Sequence, residues 1–296
     1  MAASSTFTST HPSTWPHVIS SMCGFQFPEL QDCCEIIVPR AEATEDPDLV
    51  VLRSGRTFWL QRPLVKSLFG YVYHGVEGDC SNPNEPSTFT LPRRREEQFH
   101  VAVKMSSLVE MGRAPQENVF KEIAVMRHLS EGEHPYIMPL ISACISRQHV
   151  YVVTPYFHAG DLLKQVVPNE GTGEPNIKRW LRQILLGLAH IHGKLLCHHD
   201  VSPENVMITD SGDAAVVIDF GMVQRLQTGS HGEVVATRDP DRFGKLRYMA
   251  PEVWENQEYD GRQADIWSAA VTMLVCLVGE YQWVAPTRTP LEERYI

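Results

Sequence analysis

The sequence predicts an α+β chain in two parts, a small β-rich part followed by a larger, mainly helical one. Two observations predict it. Runs of β-branched and aromatic residues (Tyr71-Val72-Tyr73, Val101-Ala102-Val103, Val150 to Val153) dominate from Phe58 to Val153. From Asp161 onward apolar residues recur at helical spacing, and Ile177, Trp180, Leu181, Ile184, Leu185, Leu188 and Ile191 form one stripe. The composition suits a folded chain. Of 296 residues 43% are apolar and 21% charged, which excludes full disorder, a collagen-like repeat and a coiled coil.

Each element follows in order. Residues 1–57 read as an N-terminal extension, disordered or loosely docked. Pro12, Pro16, Pro28, Pro39 and Pro47 break any long element there, and Glu42, Glu45, Asp46 and Asp48 make an acidic patch. Between the first two β runs, His74 to His100 reads as a long loop, because Asn82-Pro83-Asn84 and Glu85-Pro86-Ser87 are turn signals. One helix interrupts the strands, with Val119, Ile123, Met126 and Leu129 at helical spacing from about Gln116. After the long helical stripe comes a strand pair, Asn205 to Ile208 and Ala215 to Ile218, then a polar loop from Met222 to Arg247. Ile266 to Val278 is apolar all round, the mark of a buried helix. Its 13 residues fall short of the roughly 20 that a membrane span needs.

Charge and cysteine usage narrow the function. Lys and Arg number 26 against 36 Asp and Glu, a net charge of −10, which argues against a nucleic-acid partner. The seven cysteines are odd in number, and Cys80, Cys144, Cys197 and Cys276 are scattered, so a reducing, cytoplasmic setting is expected, with the nucleus left open. Cys33-Cys34 has no second cysteine pair to complete a zinc site. No Lys or Arg precedes Arg40, so neither a secretory signal nor an Arg-rich transit peptide is expected. Helix packing and one loop account for His190, His192, His198 and His199 without a metal. Arg93-Arg94-Arg95 runs into Glu96-Glu97 and reads as a solvated insert.

Six short segments then follow in a fixed order. They are Val101-Ala102-Val103-Lys104, Glu122 on the helix, His198-His199-Asp200-Val201-Ser202-Pro203-Glu204-Asn205, Asp219-Phe220-Gly221, Ala250-Pro251-Glu252 and Asp265-Ile266-Trp267-Ser268. Lys104 and Glu122 are 18 positions apart, Asp200 and Asp219 are 19, and Asp219 and Glu252 are 33. In this order the set resembles the eukaryotic protein kinases, from about Phe58 to Glu280.

The resemblance implies a two-lobed fold over residues 58–296, with an N-lobe sheet plus one helix at 58–154, a hinge at 155–160 and a mainly helical C-lobe at 161–296. ATP would bind between the lobes with Mg²⁺, and the acceptor would be a hydroxyl of a protein substrate. Phosphoryl transfer needs positioning and charge neutralisation more than covalent chemistry. Lys104 would reach the α and β phosphates, and Glu122 would hold its ammonium in place. Asn205 and Asp219 would supply oxygen ligands to Mg²⁺. Asp200 would accept the substrate hydroxyl's hydrogen bond and take its proton. Asp265 would anchor the catalytic loop by accepting backbone N–H bonds. Backbone groups near Pro155, Tyr156 and Phe157 would read the adenine edge, Thr154 would gate the pocket behind it, and Asp161 would hold the ribose. Val72, Ala102 and Met207 match positions that sandwich the adenine ring.

The departures from the family pattern matter as much. In Leu64-Val65-Lys66-Ser67-Leu68-Phe69-Gly70-Tyr71-Val72 only Gly70 remains of three phosphate-loop glycines. Stiff, β-branched Val65 stands in place of the first, so weaker nucleotide binding or a more open loop is expected. His199 stands where most members carry an Arg that receives an activation-loop phosphate, here on Thr228, Ser230 or Thr237, and histidine is a poorer, pH-dependent partner. Ser202 stands where Ser/Thr kinases carry Lys, and Lys245 stands where they carry Thr. The two residue types look exchanged, with Lys245 supplying the missing charge or standing as a solvated loop residue. The chain stops about 16 residues after Glu280, either as a fragment or with a minimal C-lobe. Two functions result: a Ser/Thr protein kinase, and a pseudokinase scaffold with weak or no transfer.

Overall fold

A computed structural model describes residues 35–36, 49–51, 56–81, 89–94, 97–111, 119–146, 148–238 and 243–281. The acidic patch at 42–48 and most of the expected extension lie outside these residues. So do Cys33-Cys34, the turn signals at 82–87, Arg95-Glu96 and the stretch after Tyr281. The chain divides into two compact units. One comprises the residues up to Ala124 with Pro139–Tyr156, the other Val125–Met138 with Phe157 onward.

The first unit is a sheet. Its strands are β1 (Glu35–Ile36), β2 (Leu49–Val51), β3 (Thr57–Ser67), β4 (Gly70–Cys80), β5 (Phe89–Thr90), β6 (His100–Ser107), β7 (Ser142–Ile145) and β8 (His149–Pro155). The spatial order is β1-β7-β8-β6-β4-β3-β2, with β5 on β4. β1 runs parallel to β7 and every other pair is antiparallel. A short helix, α1 (Leu108–Met111), follows β6, and α2 (Val119–Ser130) begins in this unit.

Strand periodicity explains what each face does. On β6, Val101, Val103 and Met105 point into a core with Phe58, Leu60, Tyr73, Tyr151 and Val153. Ala102 and Lys104 therefore take the opposite face, beside their cross-strand neighbours Val72 and Thr154. Thr57–Ser67 is an 11-residue strand, its pairing shifted on either side of Arg62-Pro63, where bulges absorb the proline. The expected loop from His74 is strand as far as Cys80, because Asp79 and Cys80 pair with β5.

The second unit is mainly helical. α3 (Glu174–Gly193) buries Ile177, Trp180, Ile184, Leu188 and Ile191 and packs against α5 (Gly261–Val278). Two small antiparallel pairs complete it: β9 (Leu196–Cys197) with β12 (Gln224–Arg225), and β10 (Val206–Ile208) with β11 (Ala215–Val217). The expected polar loop thus contains a strand. One-turn α4 (Pro251–Trp254) precedes α5. The expectation that the last helix is buried all round is also corrected, since Ile266, Trp267 and Leu277 are 46%, 38% and 42% exposed. Among the described residues no helix is long and apolar enough to cross a membrane.

Candidate functional site

In the sheet unit, Lys104 Nζ lies 2.7 Å from Glu122 Oε2, and the two side chains keep 20% and 8% of their exposure. β6 delivers the lysine on the face away from the core, and the first turn of α2 delivers the glutamate. So little water screens the pair that it fixes the ammonium in one place.

The other residues expected to touch nucleotide in this unit line the same strands. Val72 is the cross-strand partner of both Val65 and Lys104, and Ala102 is that of Thr154. The Thr154 hydroxyl reaches the Ala102 carbonyl at 3.5 Å. Val65 is 59% exposed near the β3–β4 turn. Gly70 has a specific packing reason to be glycine, because a Cβ there would collide with the Met105 carbonyl across the β4–β6 pair. Tyr156 N–H donates to the His100 carbonyl at 3.1 Å, and Pro155 has no N–H, so neither supplies a main-chain donor to a ligand.

In the helical unit, Asp200 is the centre of a dense network. Its carboxylate accepts the Lys245 main-chain N–H at 3.0 Å, Lys245 Nζ at 3.0 Å and the Asn205 amide at 2.7 Å. The same Asn205 nitrogen donates to the Asp200 carbonyl at 2.8 Å, and the Asp200 N–H meets His198 Nδ1 at 3.2 Å. Lys245 Nζ also donates to Ser202 Oγ at 2.9 Å.

The loop holding Asp200 is fastened from behind by Asp265, which is fully buried at the start of α5. Its carboxylate accepts the backbone N–H of His198 and of His199 and the ring of His192, each at 2.8 Å. Burial opposes ionisation of this carboxyl. The His192 hydrogen bond and the fields of His199, His198 and His192 outweigh it and hold Asp265 below the usual carboxylate range. His199 takes positive φ at 65°, and its buried ring meets the Cys197 thiol at 3.0 Å and the rings of Phe243 and Tyr259. The expected anchoring role of Asp265 is thus visible. His192 as its third partner is a contact that sequence reasoning missed. The four clustered histidines all have protein partners, since His190 meets the Leu129 carbonyl and His198 the Ile218 carbonyl.

Asp219 has an exposed side chain, takes φ 63° and accepts the Gly221 N–H at 3.3 Å. The Ile218 N–H donates to the Asn205 carbonyl at 3.0 Å, which sets the backbone before Asp219 beside Asn205. The Asn205 amide nitrogen is engaged with Asp200, leaving its carbonyl oxygen as a ligand atom. One amide oxygen and one exposed carboxylate fit a hard cation such as Mg²⁺, which prefers oxygen and keeps part of its water. Asp161 caps a short 3₁₀ turn, accepting the Lys164 N–H at 2.9 Å, and bridges to Met207 in antiparallel fashion. Phe157 belongs to a turn in which its carbonyl accepts the Gly160 N–H. The next two N–H groups, of His158 and Ala159, are tied to Asp210.

A family model described as the protein kinase domain matches residues 87–294. The chain is 32% identical over 197 residues to serine/threonine-protein kinase SAPK3 of Oryza sativa subsp. indica, covering 66% of this chain and 55% of that one. It is 33% identical over 192 residues to serine/threonine-protein kinase SAPK4 of Oryza sativa subsp. japonica, covering 64% and 50%. With serine/threonine-protein kinase SRK2G of Arabidopsis thaliana it shares 31% identity over 197 residues, covering 66% and 52%. The chain spans about half the length of the curated relatives it matches.

Proposed function

The chain belongs to the protein kinase domain family, and we propose that it transfers the γ-phosphate of ATP to serine or threonine hydroxyls of protein substrates. The observation that carries this is the Asp200 carboxylate, held by Asn205 and Lys245 on a loop anchored by Asp265. The names of the relatives support the choice of serine and threonine.

Asp200 orients the acceptor hydroxyl. As the bond from the γ-phosphorus to the acceptor oxygen forms, the bond to the β–γ bridging oxygen breaks. The hydroxyl proton passes to Asp200, and ADP leaves with the bonding electrons. Lys104, steadied by Glu122, holds the α and β phosphates. Asn205 and Asp219 would hold Mg²⁺, which would supply charge neutralisation at the phosphates. Toward the nucleotide the sheet unit contributes Val65, Gly70, Val72, Ala102 and Thr154, and the helical unit contributes Met207 and, for the ribose, Asp161. With Pro155 and Tyr156 unable to donate, the adenine donor is the Phe157 N–H. Cysteines scattered along the chain rather than spaced as a disulfide framework support a reducing, cytoplasmic setting.

The test is transfer of labelled γ-phosphate from Mg-ATP to a generic basic protein, with wild type beside Asp200→Asn. The expected result is label on the acceptor that the variant loses. A wild-type chain that melts cooperatively yet transfers nothing would replace this function with that of a binding scaffold.

A further inference from the structure

Lys245 Nζ sits at a meeting point of two segments. It lies 3.0 Å from Asp200 Oδ2 and 2.9 Å from Ser202 Oγ, although 43 positions separate it from Ser202. Ser202 is fully buried, and the Asp200 side chain keeps 12% of its exposure against 38% for Lys245. The Lys245 ammonium is therefore anchored on the catalytic loop, although its side chain is partly exposed. Its main chain is held as well, by its N–H on Asp200 Oδ1 at 3.0 Å and by the Tyr248 N–H on its carbonyl at 3.0 Å. Just before it, Gly244 runs at φ 93° against the His199 carbonyl, which presses the activation segment onto the catalytic loop.

We propose that Lys245 is the catalytic cation of this site, carried by the activation segment and oriented by Ser202, and that it neutralises charge on the phosphoryl group as it passes to the hydroxyl held by Asp200. This rests on the kinase function proposed above. The chemistry requires a cation near the base, because negative charge is spread over the transferred oxygens. Asp200 and Ser202 are an acceptor pair that places an ammonium, and a neutral hydroxyl at 202 cannot itself supply the charge. A regulatory consequence is built in. In this chain, displacing the activation segment withdraws the cation itself, so ordering the segment and charging the site are one event.

The experiment compares wild type, Asp200→Asn, Lys245→Thr and the reciprocal double variant Ser202→Lys/Lys245→Thr. The expected result is a fall in kcat of about 10²–10³-fold in Lys245→Thr with KM for ATP changed little, and recovery to within about tenfold of wild type in the double variant. A second readout needs no turnover. Aluminium fluoride, a mimic of the transferred group, tightens ADP binding to wild type and the double variant but not to Lys245→Thr, while ADP alone binds all three alike. Equal transfer by wild type and Lys245→Thr overturns the proposal, and so does equal tightening by aluminium fluoride. A double variant no better than Lys245→Thr, or loss of cooperative melting in both, marks Lys245 as structural and overturns it too. Absence of transfer by wild type removes the kinase function and this inference together. Failure of the Lys245 arms alone, with Asp200→Asn inactive, removes only the inference.

Discussion

His192 and the backbone N–H of His198 share one oxygen of Asp265, each at 2.8 Å, while the other oxygen takes the His199 N–H. The carboxylate thus closes α3, the catalytic loop and the start of α5 into one unit of structure. A buried charge of this kind is tolerated because hydrogen bonds and nearby histidines replace the lost water.

Asp265→Asn removes the charge and offers one acceptor oxygen in place of two. At least one of the three donors then loses its partner in a fully buried place. Stability should fall by about 2–4 kcal/mol, seen as a lower denaturant midpoint with an unchanged slope.

The same residue sets a pH dependence. Asp265 is held below the 3.8 of a free aspartate, as are Asp260, by the Arg262 hydrogen bond, and Asp210, where bonds from His158 and Ala159 outweigh burial. The unfolded chain binds protons first as pH falls, so these groups add stability that is fully present above the free value. It is lost as pH drops from there through the lower folded values. Denaturant midpoints followed from neutral pH to below pH 4 should fall steeply for wild type and less steeply for Asp265→Asn.

Lys104→Met should abolish most transfer, on the order of 10²–10³-fold in kcat/KM, and should also lower the melting temperature, because the nearly buried Glu122 carboxylate loses its cation. Glu122→Gln leaves the ammonium in place beside a neutral partner, and a smaller loss of roughly tenfold is expected. Steady-state kinetics on both variants check the order. A larger loss for Glu122→Gln would mean that the pair serves stability first.

Gly244→Ala puts a Cβ into the His199 carbonyl and forces a left-handed conformation on a residue with a side chain. The backbone strain alone is about 1–2 kcal/mol, and relief requires the segment to lift away from the loop. Transfer should fall at least tenfold while binding of ADP to the folded variant is retained, measured by titration beside the melting curve.

What was legible in the sequence follows the range of the interactions. Lys104 and Glu122 could be read because the ordered motifs resemble those of a known family, and strand and helix periodicity then account for the face each one takes. The exchange of Ser202 and Lys245 was visible as two residue types out of place, but only the geometry shows that their side chains meet. His192 could not be read as a partner of Asp265, since 73 positions separate them and no local pattern marks the contact. β3 was hidden by Arg62 and Pro63, which bulges accommodate, and the tail of β4 by Gly75 and Gly78, residues that strands rarely favour. The last helix looked uniformly apolar, yet Ile266 and Trp267 face outward, because apolar composition alone does not say which side of a helix has a neighbour.

On the proposal made above for Lys245, the 2.9 Å between its Nζ and Ser202 Oγ would let two distant chain positions carry the same charge. In a lineage, a lysine can migrate from one segment to the other while the charge itself stays still. The order of steps then matters. Gaining the second lysine before losing the first keeps a cation in place throughout, whereas the reverse order passes through a protein with none.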